Sequence, residues 1–342
     1  MGINILYNKL DKYYKKINLK KYNYRLTKVK NIELINTKFI PDKIREFINK
    51  KINYKYTILY EFKNIIITVK YYSINKIKKE IFNNILKRII FMMLISNTYI
   101  NINIDIYNTP FKKKFNCNNS HKCGNLKHIN VNSGLNHGHN IILFRNEEYL
   151  KLLLHELIHA LNIDNKYETI EDIHKILEIF NINSNNLLIN ESYVETWAII
   201  LNVYCTLKEK EKEKEKKNIK FEEFKKNLNK EQVHSLHQCS KLCVYYNINN
   251  FEQLYNNNSK TVYYKDSINT FSYHIIKTIN LYNINKFLKN FSDNIYVLKS
   301  EYNFNLYIEF ILKYNKTICN KVNLIIKKIK NNNLGSLTMS SI

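Results

Sequence analysis

The sequence predicts an α+β protein, with a small mixed or antiparallel sheet in its N-terminal half and a mostly helical C-terminal half. Three observations carry this expectation. Segments 56–73 and 99–107 are rich in β-branched and aromatic residues that alternate with polar ones. Segments 75–95 and 147–161 repeat apolar residues at helical spacing. Beyond about residue 166 every strongly patterned segment has helical period.

Taken in order, residues 1–50 are basic and Tyr-rich with weak helical periodicity, and YTILYEFKNIIITVKYYS (56–73) reads as one or two strands. Ile77, Ile81, Ile85, Ile89, Met92 and Met93 mark a helix, and YININIDIY (99–107) alternates as a half-buried strand does. A polar loop over 108–139 holds Gly124, Gly134 and Gly138, and NIILF (140–144) is a further strand. Asn146 is placed to cap the next helix, with Glu147 and Glu148 in its first turn and Leu150, Leu153, Leu154, Leu157, Ile158 and Leu161 on its buried side. Further helices are expected over 171–180, from Asn190 to about residue 205, and over 221–247, 270–290 and 303–330. The chain thus divides into an α+β part (1–165), a helical part (166–330) with a charged insertion at 208–220 that contains KEKEKEKEKK, and a tail (331–342).

Composition narrows the function classes. The 342 residues are 45% hydrophobic and 24% charged, enough apolar material for a core. The formal net charge is +25, but the lysines run along the whole chain and do not cluster, which argues against a specific nucleic-acid footprint. Excess Asn, Lys, Ile and Tyr fits AT-rich coding. Six cysteines in this length are not a disulfide scaffold, and the N-terminus lacks the apolar stretch of a signal peptide. The longest oily run, IIFMMLIS (89–96), is too short for a transmembrane segment, so a cytoplasmic protein is expected. Five glycines leave little room for a phosphate-binding loop.

The chemistry lies in LLLHELIHALN (152–162). His155 and His159 are four apart, one helical turn, so both imidazoles can reach a single Zn2+ ion. Glu156 sits one position round, beside the metal and free to move a proton. With 10 His and 22 Glu the pattern arises by chance in roughly 2% of such chains. A hydrolytic zinc site needs a third ligand. The places that would carry the spaced third histidine and glycine of one HExxH class are Asn165 and Asn162. Asp164 lacks the usual preceding residues, and His174 reads as surface. NESYVETW (190–197) offers two carboxylates one turn apart on a helix too apolar to be solvated. Glu191 is favoured as the ligand and Glu195 as the acceptor that orients a ligand imidazole. For stabilising a developing oxyanion, FSYHIIK (271–277) offers Tyr273 and His274, with His234 and His237 as other options.

HELIH (155–159) and NESYVE (190–195) resemble the zincin metallopeptidases, and among them the gluzincin branch; the wider block VNSGLNHGHNIILFRNEEYLKLLLHELIHALNID (131–164) also resembles uncharacterised HExxH proteins of large DNA viruses, and together these cover about residues 128–205. The separation of the two motifs is longer than in small gluzincins. The resemblance implies a zincin-like fold, zinc held by His155, His159 and Glu191, Glu156 as general base, Glu195 orienting a histidine, and a protein or peptide substrate. If the chain is viral, it implies a place in the host cytoplasm or the virion. The rival readings are a zinc-containing structural or virion protein without proteolysis, and a basic nucleic-acid partner. Two other clusters, Cys117, His121 and Cys123 near His128, His137 and His139, and His234, His237, Cys239 and Cys243, read as ordinary loop and core residues.

Overall fold

Alternation decides the sheet. In β2 (Tyr54–Phe62) Tyr56, Ile58 and Tyr60 turn inward, in β3 (Ile65–Ser73) Ile67, Val69 and Tyr71 do, and in β4 (Ile102–Tyr107) Ile102, Ile104 and Ile106 do. The computed structural model describes residues 1–30, 32, 39–115, 126–164, 168–180, 182–184, 187–210, 217–255, 264–266, 269–292, 298, 303–329 and 334–342. Segment 56–73 is a two-stranded hairpin. Lys63 and Asn64 make its tight turn with φ of 48° and 63°, the doubly left-handed geometry that matches strand twist.

The sheet is mixed and six-stranded, in the order β1-β2-β3-β4-β6-β5. β1 (Tyr24–Lys28) pairs antiparallel with β2 and β2 antiparallel with β3, β3, β4 and β6 (Asn140–Leu143) run parallel, and β5 (Gly134–His137) lies antiparallel to β6 at the edge. This is the α+β class expected. The weakly patterned first 50 residues resolve into α1 (Ile3–Tyr14), β1 and α2 (Asp42–Lys51). The polar stretch 108–139, expected as loop, contains the short α4 (His128–Val131) and β5. GLNH has no β-branched residue; pairing with β6, not propensity, makes it a strand.

One face of the sheet packs on α3 (Lys79–Ser96) and α5 (Tyr149–Ala160), and the other face carries Tyr72, Tyr107, Ile142 and Phe144 against Ile44 and Ile48 of α2. The C-terminal half is helical, as expected: α6 (Ile170–Ile179), α7 (Asn190–Glu209), α8 (Lys217–Tyr245), α9 (Lys277–Tyr282), α10 (Ile284–Phe291), α11 (Phe304–Tyr314) and α12 (Cys319–Ile326). A two-stranded pair, β7 (Ile182–Ser184) with β8 (Tyr264–Asp266), accompanies them. Of the charged insertion, 211–216 lie outside the described residues.

α7 is the central helix, apolar on nearly every side and buried along its length, Trp197 included. Arg88 of α3 ties it to the sheet half. Its buried guanidinium donates to Glu209 at 2.7 and 2.9 Å, to Asn202 at 2.7 Å, to Thr206 at 3.0 Å and to the Leu150 carbonyl of α5 at 3.2 Å. A buried guanidinium needs this many acceptors, and meeting them fixes three helices against one another.

Two local expectations are corrected. Helix α5 starts at Tyr149, not at a cap on Asn146; Glu148 precedes it at φ 59° and turns its carboxylate to Lys113 and the Ser340 amide, while Glu147 accepts from the Lys113 amide at 2.7 Å. Residues 334–342, expected as a tail, are packed: Leu334, Leu337 and Met339 are buried, Lys277 donates to the Met339 carbonyl at 3.0 Å, and Ser340 and Ser341 donate to Glu231. Four isolated apolar residues, Leu334, Leu337, Met339 and Ile342, among Asn, Ser, Thr and Gly gave no period by which to foresee this.

The edge strand is held close to α5. A Cβ on Gly134 would lie 2.9 Å from Leu143 Cδ2, 2.9 Å from Leu152 Cδ2 and 3.1 Å from the Ile142 carbonyl. Arg145 holds the turn before the strand by donating to the carbonyls of Asn132 and Ile129. We therefore expect Gly134→Ala to destabilise the protein by about 1–3 kcal/mol through overpacking, read by chemical denaturation, with no comparable loss in Gly138→Ala beyond the strain of its φ of 61°.

Candidate metal centre

Leu153, Leu154, Leu157 and Ile158 fasten α5 into the core, which leaves His155 and His159 facing α7 and an open cleft. α7 passes close by, and its first turn brings Glu191 to the imidazoles. The Nε2 atoms of His155 and His159 are 3.2 Å apart, and Glu191 Oε2 lies 3.2 Å from the first and 3.5 Å from the second. Ligand atoms about 2.0–2.1 Å from one tetrahedral zinc ion stand about 3.3 Å from each other, so the triangle has the size zinc requires. Among the described residues this is the one group of three or more His, Cys, Asp or Glu side chains close enough to share a metal.

The partners behind the triangle set its polarity. His155 Nδ1 donates to Glu195 Oε2 at 3.0 Å, and His159 Nδ1 donates to Asp164 Oδ2 at 2.8 Å. Ionised carboxylates only accept, so each ring's proton is fixed on Nδ1 and each Nε2 turns a lone pair inward. Tyr273 donates its hydroxyl to Glu191 Oε2 at 3.0 Å. Three acceptors therefore converge at a spacing where only a cation or extra protons relieve their repulsion. The charge of Glu195 is balanced from behind by Lys151, 2% exposed, which donates to its two oxygens at 2.7 and 3.0 Å.

Titration follows the same geometry. Burial disfavours the imidazolium, but Glu191 and Glu195 around His155, and Glu191 and Asp164 around His159, outweigh it and hold both rings above the ordinary imidazole value. Burial would raise Glu191 as well, yet the two imidazoles hold its carboxyl well below the usual range; Lys151 and His155 do the same for Glu195. Glu156 differs: burial lifts its carboxyl above the ordinary value against the pull of the two histidines.

Glu156 and Tyr273 line the cleft with the three candidate ligands. Tyr273 comes from a π-helical turn, Phe271–Ile276, a distortion often found where a side chain must be re-aimed toward a site. His274, next in sequence, points elsewhere: it is fully buried, does not line the cleft, and neither ring nitrogen has a hydrogen-bond partner among the described residues. Burial and the nearby Lys277 and Lys113 hold it well below the ordinary imidazole value, so it is a neutral core residue. His234 bonds Thr338 at 3.1 Å, Cys239 and Cys243 are buried, and His174 is exposed. Cys117, His121 and Cys123 lie outside the described residues.

Of the expected site residues, His155, Glu156, His159, Glu191, Glu195 and Tyr273 converge. Three more positioning residues escaped the sequence reading. Asp164, weighed only as a ligand, instead orients His159. Lys151 is one turn before His155 on the same helix face, a spacing that could have revealed it. Glu168, with no readable signal, accepts from the Ile189 and Asn190 amides and so caps α7; burial, partly offset by those amides, raises its carboxyl to about 7. Compared with known proteins, the chain matches no family model, no curated protein and no solved structure.

A metal ion held here would compete with protons for the same three lone pairs, which gives a signed expectation. The raised imidazoles stabilise the metal-free protein below the unfolded histidine value, and that contribution is lost as pH rises through their folded values. The gain in melting temperature on adding zinc should therefore be larger at pH 8 than at pH 6, and zinc affinity should fall as pH drops toward and below 6.5. Scanning fluorimetry and chelator competition test both. Glu191→Ala should weaken zinc binding in the same assay.

Proposed function

We propose that the protein is a zinc-dependent metallopeptidase of the zincin type, gluzincin-like in its His, His, Glu ligand set. One observation carries the reading: three buried lone pairs, fixed inward by their own hydrogen bonds at zinc spacing, open onto a cleft of about 730 Å³ beside a buried glutamate. A closed structural site would be walled off on all sides; here His155, Glu156, His159 and Glu191 all line the cleft.

When bound, zinc supplies Lewis acidity to the scissile carbonyl and acidifies the attacking water. The chain does the rest. β5 lies at the sheet edge, where an extended peptide can pair with it, and Asn136 of that strand donates to the Glu156 carbonyl at 3.3 Å, fixing strand and helix together. Glu156 takes the proton from the attacking water and delivers it to the leaving amine. Its raised proton affinity suits both halves of that task. Tyr273, released from Glu191, offers its hydroxyl to the oxygen that gains charge. Glu195 and Asp164 hold the two rings in the ligating tautomer throughout.

The test is hydrolysis of a peptide library by the zinc-loaded protein. Glu156→Gln should retain zinc and lose turnover by about 10²–10⁴-fold. Zinc binding with no chelator-sensitive hydrolysis in the parent would sink the peptidase reading and leave a non-proteolytic zinc protein. Tyr273→Phe should lower kcat by about 10²-fold with a smaller effect on KM, since its hydroxyl acts on charge that exists only in the transition state.

A further inference from the structure

A peptide laid along β5 sends alternate side chains to opposite faces of the sheet. On the α5 face lie the metal centre and Asn136, whose side chain reaches Glu156. The opposite face is built differently. Leu135 and Ile142 are cross-strand partners there and pack with the apolar cluster around α2. Phe39, 38% exposed, completes that wall, its ring set edge-to-face against His128 at 5.3 Å. Phe39, Leu135 and Ile142 all line the same cleft as the metal centre, so the cavity wraps from the catalytic face round the edge strand. Among the described residues, the charged members of its lining are Glu156 and Glu191, both at the metal centre, with no lysine or arginine.

We propose that this wall is a specificity subsite for a large apolar side chain, on a substrate residue that points away from the metal centre. The assignment rests on reading the site as one that binds peptides. Among the described residues of the cleft lining, an acidic side chain placed there would lose water with no cation to receive it, and a basic one would find no carboxylate on that face; a leucine- or phenylalanine-sized group would cover Phe39, Leu135 and Ile142. The carboxylates that line the cleft, Glu156 and Glu191, lie at the metal centre on the other face of the strand.

The experiment uses the zinc-loaded full-length protein and a set of blocked peptide hydroxamates. Each position in turn is changed from Leu to Asp or Lys, and binding is measured by calorimetry. The expected result is one position, in the alternating set, where Leu binds about tenfold or more tighter than Asp or Lys. Phe39→Lys should abolish that preference and improve the Asp compound, with zinc content as in the parent. A flat profile, a preference for a charged side chain, a Phe39→Lys profile like the parent's, or no binding to zinc-loaded protein would each overturn the subsite. Selective binding without hydrolysis of the matching peptide amide would instead count against the peptidase reading and leave the subsite standing.

Discussion

The structure depends on a repulsion that the chain itself creates. Glu195 and Asp164 each take a proton-bearing nitrogen from a histidine, and this turns both Nε2 lone pairs toward the carboxylate of Glu191. Without protons or metal to fill it, such a triangle is costly in a buried place. It persists because its members sit on two helices that cannot move apart independently. α5 is fastened by four buried aliphatics, α7 is buried along its length, and Arg88 bridges both to α3. The core supplies the rigidity that lets three like groups be held within 3.5 Å of one another.

Charge balance extends outward in layers. Lys151 neutralises Glu195 from behind the candidate ligands, and Lys113 meets Glu148 at the start of the same helix. Lys277 and Glu231 then receive the segment that ends in Ser340 and Ser341. A single unpaired member of this set would leave a buried charge costing several kcal/mol, about 3–5 by analogy with broken buried pairs. Behind the cleft, Glu195 and Glu148 are thus met by lysines, Glu231 by serines and Lys277 by a carbonyl, and Met339, at the edge of a small polar pocket it shares with His155, Glu156 and Glu195, brings the last residues of the chain to the back of the site.

Much of this was legible in the sequence where period and spacing carry the information. Ile102, Ile104 and Ile106 announced a strand because burial on one face leaves a two-residue rhythm, and His155 with His159 announced a shared ligand face because four residues make one turn. Glu191 and Glu195 were legible for a different reason: carboxylates embedded in an oily helix need partners. What stayed hidden depends on contacts distant in sequence. β5 is a strand through pairing with β6, Glu168 caps a helix 22 residues away, and the last residues gain their place from Glu148, Glu231 and Lys277. Tyr273 and His274 were equivalent in the sequence; the π-helical turn separates them, sending one to the cleft and the other into the core.

That separation bears on how the cleft can work. Tyr273 has its hydroxyl on Glu191, so in the proposed mechanism the group that would meet a developing oxyanion rests on a candidate ligand oxygen. A carboxylate that gave one lone pair to a cation would be a poorer acceptor, which would loosen the tyrosine once the proposed metal was bound. The neighbouring His274 cannot take over, since burial and the lysines around it hold it neutral and it faces away from the cleft. The π-turn thus leaves one donor poised at the cleft wall, coupled through Glu191 to the same three lone pairs on which the centre is built.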